Sequence, residues 1–72
     1  MDNVNNPKHY NIGNIEVIDF IDSWGLNFNL GNVVKYAARC NYKDSKIEDL
    51  QKAIFYLERE IKGAINEYGK WY

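Results

Sequence analysis

Asn32, Lys35, Tyr36 and Arg39 in the stretch "GNVVKYAAR" have side chains that could do chemistry together. At about 100° per helical residue, with Asn32 at 0°, Tyr36 falls near +40°, Arg39 near −20° and Lys35 near −60°. Leu30, Val33, Val34, Ala37 and Cys40 fall between about 80° and 200°, so the helix divides into a polar and an apolar side. Arginine offers a planar fork that can hold two phosphate oxygens, and lysine a point charge. Asparagine can both donate and accept, as a nucleobase edge or a ribose requires. A tyrosine among cations is what a surface contacting bases or phosphates uses. No acidic residue on this helix neutralises Lys35 or Arg39. The competing interpretation is an ordinary solvated helix face.

The elements that would position these residues can be read along the chain. Residues 1–13, "MDNVNNPKHYNIG", have no period and read as an extended N-terminal arm. The arm carries His9 and Tyr10, which could close over the second helix, and Lys43 in a later loop could add a charge. A first helix is expected over 14–24, capped by Asn14, with Glu16 at the positive end of its dipole and Gly25 as its stop. Val17, Ile18, Ile21 and Trp24 form its apolar stripe. The second helix is expected over 28–41, beginning near Asn27 or Asn29. Gly31 in its first turn costs about 1 kcal/mol against Ala. That cost points to close approach of another group, or simply to a fraying turn.

A third helix is expected over 46–68, opened by the capping-box pattern "SKIE" at Ser45 to Glu48. Ile47, Leu50, Ile54, Leu57, Ile61, Ala64 and Tyr68 then alternate at three- and four-residue steps, an a/d seam. It is roughly 33 Å long, more than two short helices of one chain need. Part of the seam is therefore expected to pack on another copy.

A chain of 72 residues makes one small domain, and chains of that size bury only about 60 per cent of their unfolded surface. Small folds recover stability from disulfides, metals or self-association. Cys40 is the single cysteine, so no internal disulfide forms. His9 and Cys40 are too few soft ligands for zinc, and no metal or cofactor is expected. Self-association remains. The fold class expected is all-α, a three-helix domain with an N-terminal arm, completed by homo-oligomeric packing. Nine basic residues against ten acidic ones argue against a broad nucleic-acid footprint. No apolar run is long enough for a membrane, and no signal pattern opens the chain. With one unpaired cysteine, a cytoplasmic setting is expected.

No catalytic set emerges. "GNIEVID" and "GNVVKY" lack P-loop spacing, and Cys40 lies on the apolar side. Glu16, Asp19 and Asp22 could place a Mg²⁺ ion, but suit a solvated face better.

The ordered combination of His9-Tyr10, "IEVIDFI", "GNVVKYAAR" and "IEDLQKAIFYLERE" resembles a family of small bacteriophage proteins of unknown function, called SaV-like. By that resemblance the family's hallmark positions fall on His9, Tyr10, Glu16, Gly31, Asn32, Lys35, Tyr36, Arg39, Asp49, Leu50, Lys52, Ala53, Tyr56 and Leu57. A larger phage nucleoside monophosphate kinase is similar over the same signature, which implies nucleotide contact, although this chain lacks everything outside it. Asp49, Lys52 and Tyr56 lie on one side of the third helix and either complete a pocket or orient Lys35 and Arg39.

The function expected is a binding module. A small phosphorylated nucleotide would be held by His9, Tyr10, Asn32, Lys35, Tyr36, Arg39 and Lys43, with Glu16, Asp49, Lys52 and Tyr56 in support. Given the phage resemblance, its use would be to sequester a nucleotide signal of host defence in the host cytoplasm. Two alternatives stand beside it. One is a minimal nucleotide phosphotransferase using Glu16 or Asp49 with Mg²⁺. The other is an inhibitor of a host enzyme acting through the "GKWY" tail or the third-helix seam.

Overall fold

The computed structural model of the chain describes residues 13–42 and 44–69. These form α1 (Val17–Ser23), α2 (Phe28–Arg39), a 3₁₀ turn at Cys40–Tyr42 and α3 (Lys46–Tyr68). Among the described residues there is no strand, so the chain is all-α. No helix among the described residues is long and apolar enough to cross a membrane. The arm, with His9 and Tyr10, and the loop residue Lys43 lie outside the described residues.

Local chemistry sets the helix ends. Gly25, at φ 63, sits where a side chain would be strained. Its amide donates to the Asp22 carbonyl and that of Leu26 to the Ile21 carbonyl, both at 3.0 Å. Those paired bonds make a Schellman stop, as Gly25 led one to expect. Asn27 caps α2, its side-chain oxygen accepting the Leu30 amide at 2.9 Å. Gly69 ends α3 at φ 83, donating to the Ile65 carbonyl at 2.8 Å.

Two expected caps are not made. The residue before α1 is Glu16 rather than Asn14, and its side chain makes no capping bond. Ser45 precedes α3, but its ψ of 62° lies outside the extended region that aims a hydroxyl at the following amides. Ser45 makes no side-chain cap bond, and the "SKIE" box is not formed.

Gly31 is buried because α1 crosses α2 at that point. A Cβ there would stand 3.2 Å from Cγ2 of Ile21. Close approach of a neighbouring side chain explains the glycine, rather than a frayed turn.

Helices α2 and α3 run antiparallel, with Arg39 beside Asp49 and Asn29 beside Glu60. On α3 the side turned to α2 is built from Asp49, Ala53, Tyr56 and Glu60. The apolar seam is not on that side. Taking Ala53 as 0°, the α2-facing residues lie between about −60° and 0°, and the seam lies between about 20° (Ala64) and 120°. Accordingly Ile47, Leu50, Ile54, Leu57, Ile61, Ile65 and Tyr68 remain 39 to 72% exposed. Among the described residues, those buried are Gly31, Cys40, Asp49 and Ala53, all small or polar. Trp24 and Phe28 likewise lie on the surface.

Candidate functional site

The contact between α2 and α3 is fastened at its two ends by carboxylates of α3. At the C-terminal end of α2, Nη2 of Arg39 donates to Oδ1 of Asp49 at 3.1 Å and Nε donates to Oδ2 at 3.3 Å. The Asp49 residue is 0% exposed. Burying a carboxylate without a partner costs several kcal/mol, so the guanidinium is what permits Asp49 to sit there. A cation in the last turn of α2 also suits the negative end of its dipole. At the other end, Glu60 accepts from Nδ2 of Asn27 at 3.0 and 3.2 Å and from Nδ2 of Asn29 at 3.2 Å. Its negative charge lies beside the positive end of the α2 dipole. Oδ1 of Asn29 is buried without a partner, and we have no physical account of it.

Between these ends runs an aromatic strip. Tyr36 of α2 stacks on Tyr56 of α3, with centroids 6.1 Å apart and planes 9° from parallel. Phe28 meets the same Tyr56 ring edge-on at 5.8 Å. Tyr36 is thus half-buried against α3, and its ring is fixed from one side by a second aromatic.

Three cations gather on that ring. Lys35 Nζ lies 4.7 Å from the Tyr36 centroid, Arg39 Cζ 4.9 Å and Lys52 Nζ 5.4 Å. Each gains about 0.5–1 kcal/mol from the quadrupole of the ring at a partly wetted position. Against this stands mutual repulsion, since charges that all lie within 5.4 Å of one ring centroid are at most about 10 Å apart, close to the Debye length of about 8 Å at physiological salt. Asp49 offsets one positive charge through Arg39. Among the described residues, no carboxylate lies within salt-bridge distance of Lys35 or Lys52. Two ammonium groups beside an aromatic plane attract an anion that also has a flat apolar part.

Asn32 lies on the same edge, its Nδ2 donating to the Phe28 carbonyl at 2.9 Å. That bond orients the amide and leaves Oδ1 to accept from an incoming donor. Next to it is a shallow open depression of about 320 Å³, lined by Ile21, Leu26, Asn27, Phe28, Gly31, Asn32 and Lys35. Small-molecule sites begin at about this size. Lys35 belongs both to its rim and to the cation cluster.

The placement of the expected residues can now be stated. Asn32, Lys35, Tyr36 and Arg39 do share an edge, and Lys52 and Tyr56 of α3 join it. Arg39 was expected on the polar side, away from the packed one; instead it pairs with buried Asp49. Ala37, assigned to the apolar packed side, is exposed. Glu16 stands at the start of α1 and makes no cap bond. Among the described residues, no group of three or more His, Cys, Asp or Glu comes together to hold a metal. Sequence spacing missed the Glu60 clasp on Asn27 and Asn29, because those partners are 31 and 33 residues apart.

The chain belongs to the family described as a protein of unknown function, DUF3310, whose match spans residues 4–58. That match covers the first two helices, the Tyr36 cluster and most of α3. No curated protein and no solved structure matches the chain.

Proposed function

We propose that the edge formed by Lys35, Lys52, Tyr36 and Asn32 binds a small phosphorylated nucleotide. The observation that carries this reading is the gathering of three cations within 5.4 Å of one tyrosine ring, with Asp49 alone offsetting them among the described residues. A phosphate between Lys35 and Lys52 relieves their repulsion, and a base finds an apolar floor in the depression beside Phe28 and Leu26. Arg39 acts chiefly as a positioning residue, since two of its donors go to Asp49. His9, Tyr10 and Lys43 remain candidates for further contacts. The net charge of −1 and a cationic edge that, among the described residues, is confined to one helix pair favour a small ligand over a nucleic acid.

Such a protein works by stoichiometry, holding a ligand without turning it over. In keeping with the phage resemblance, we propose that it sequesters a nucleotide signal of host defence in the host cytoplasm. The phosphotransferase reading needs a carboxylate free to hold Mg²⁺ beside the phosphate. Asp49, the carboxylate in this cluster, is 0% exposed and engaged by Arg39, which favours binding over catalysis.

The test is a mass-spectrometric search for a ligand released on denaturing the purified protein, followed by calorimetric titration. Mononucleotides, cyclic dinucleotides and ADP-ribose derivatives form the panel. We expect one ligand per chain, bound unchanged after prolonged incubation. No released ligand and no heat with any member of the panel would overturn the reading.

A further inference from the structure

We propose that a second copy of this chain covers the α3 seam in an antiparallel arrangement, closing a four-helix bundle with its α2–α3 hairpin.

The first support is the geometry of the hairpin. On α3 the seam is displaced by about 100° from the direction of α2. On α2, Leu30, Val33, Val34 and Ala37 are displaced by about 100° from the direction of α3. Because the helices are antiparallel, their residue angles run in opposite senses from one viewpoint, and both displacements lead to the same side. The hairpin therefore presents a two-helix apolar face. Ala37 is exposed, Leu30, Val33, Val34 and Ala64 are half-buried, and the larger seam residues Ile47, Leu50, Ile54, Leu57, Ile61 and Tyr68 are 39 to 72% exposed. Lys52 lies about 180° around α3 from the seam, so covering this face leaves the cation edge open.

The second support identifies the occupant. Leaving aside its last member, Tyr68, the seam Ile47, Leu50, Ile54, Leu57, Ile61, Ala64 runs from an a position to a d position by steps of 3, 4, 3, 4 and 3 residues, a spacing that a reversed copy of the same helix matches. A two-fold axis midway between Ile54 and Leu57 sets Ile54 on the partner's Leu57, Leu50 on the partner's Ile61 and Ile47 on the partner's Ala64. Each layer pairs an a position with a d position, as antiparallel helix packing requires. Along the exposed flank Gln51 approaches the partner's Glu58, an amide beside a carboxylate, so no like charges meet. A parallel pair gives no such flank, since Glu58 then faces Ala53. Lone monomers rarely expose continuous apolar surface of this extent.

Sedimentation equilibrium on the unmodified protein without added nucleotide is the first measurement. It should return twice the 8.5 kDa chain mass at micromolar concentration. A monomer at that concentration overturns the proposal. Orientation is read with cysteine variants at exposed Ile47 and half-buried Ala64. Ile47→Cys with Ala64→Cys should yield an oxidised covalent dimer, whereas Ile47→Cys alone should not, its partner copy lying roughly 25 Å away. A covalent dimer from Ile47→Cys alone, absent from the oxidised unmodified protein, means a parallel pair and overturns the arrangement. None of these readouts involves a nucleotide, so their failure leaves the binding proposal standing, and the reverse.

Discussion

Replacing Arg39 separates a structural ion pair from a ligand contact. The Asp49 carboxylate is 0% exposed and accepts two bonds from the guanidinium, at 3.1 and 3.3 Å. Lysine at position 39 keeps the charge but loses the fork, forfeiting one charge-assisted bond, about 2 kcal/mol. Methionine keeps much of the volume and strands the carboxylate, a loss of about 3–5 kcal/mol. A small core rarely supplies more than about 3–5 kcal/mol in all, so Arg39→Met should leave the chain largely unfolded at 25 °C. Asp49→Asn should cost about 1–3 kcal/mol, because the side chain of Arg39, itself 20% exposed, can turn toward water. Urea unfolding followed by helical circular dichroism gives each value, at one protein concentration because self-association adds to apparent stability. The double variant Arg39→Met, Asp49→Leu removes both partners and should recover much of the loss. If Arg39→Met instead leaves a folded chain whose urea midpoint matches that of the unmodified protein, the pair is not an energetic unit and this reasoning fails.

Other consequences follow from the same contacts. Glu60→Ala removes the acceptor for Asn27 and Asn29 and should lower stability by about 1–2 kcal/mol in the same urea assay. Asn27→Ala also loses the Leu30 amide cap and should cost at least as much, about 1–2 kcal/mol. Gly31→Val places side-chain atoms where Ile21 already stands 3.2 Å away and should undock α1, seen as faster amide exchange in Val17–Ser23 with α3 unchanged. Nucleotide affinity should fall as salt rises from about 50 to 500 mM, since exposed ammonium contacts are screened; a flat response in calorimetry contradicts the cationic site.

The helices were legible because their ends and stripes are local. Gly25 and Asn27 carry their roles within a few residues, and the three- and four-residue steps of α3 need no knowledge of the rest of the chain. What faces what was not legible. The rule that apolar residues turn inward placed Ala37 and part of the α3 seam inside, with the rest of the seam kept for another copy, yet α2 and α3 meet through Asp49, Tyr56, Glu60, Asn29, Tyr36 and Arg39. Polar side chains become good packing surface when each finds its partner, and those partners sit on another helix. Of the candidate site, Lys35 and Tyr36 could be read from helical spacing. Lys52 and Tyr56 came only through family resemblance, and the capture of Arg39 by Asp49 needed coordinates.

The central claim is that Lys35 and Lys52 hold the phosphate while Arg39 holds the fold. Calorimetry on the unmodified protein, Lys35→Met and Lys52→Met, with the tightest nucleotide of the panel, tests it most directly. Each lysine variant should keep the unmodified urea midpoint and lose roughly 10- to 100-fold in affinity, the scale of one charge-assisted bond. Affinity unchanged in both variants, or a loss that merely tracks unfolding, would contradict it.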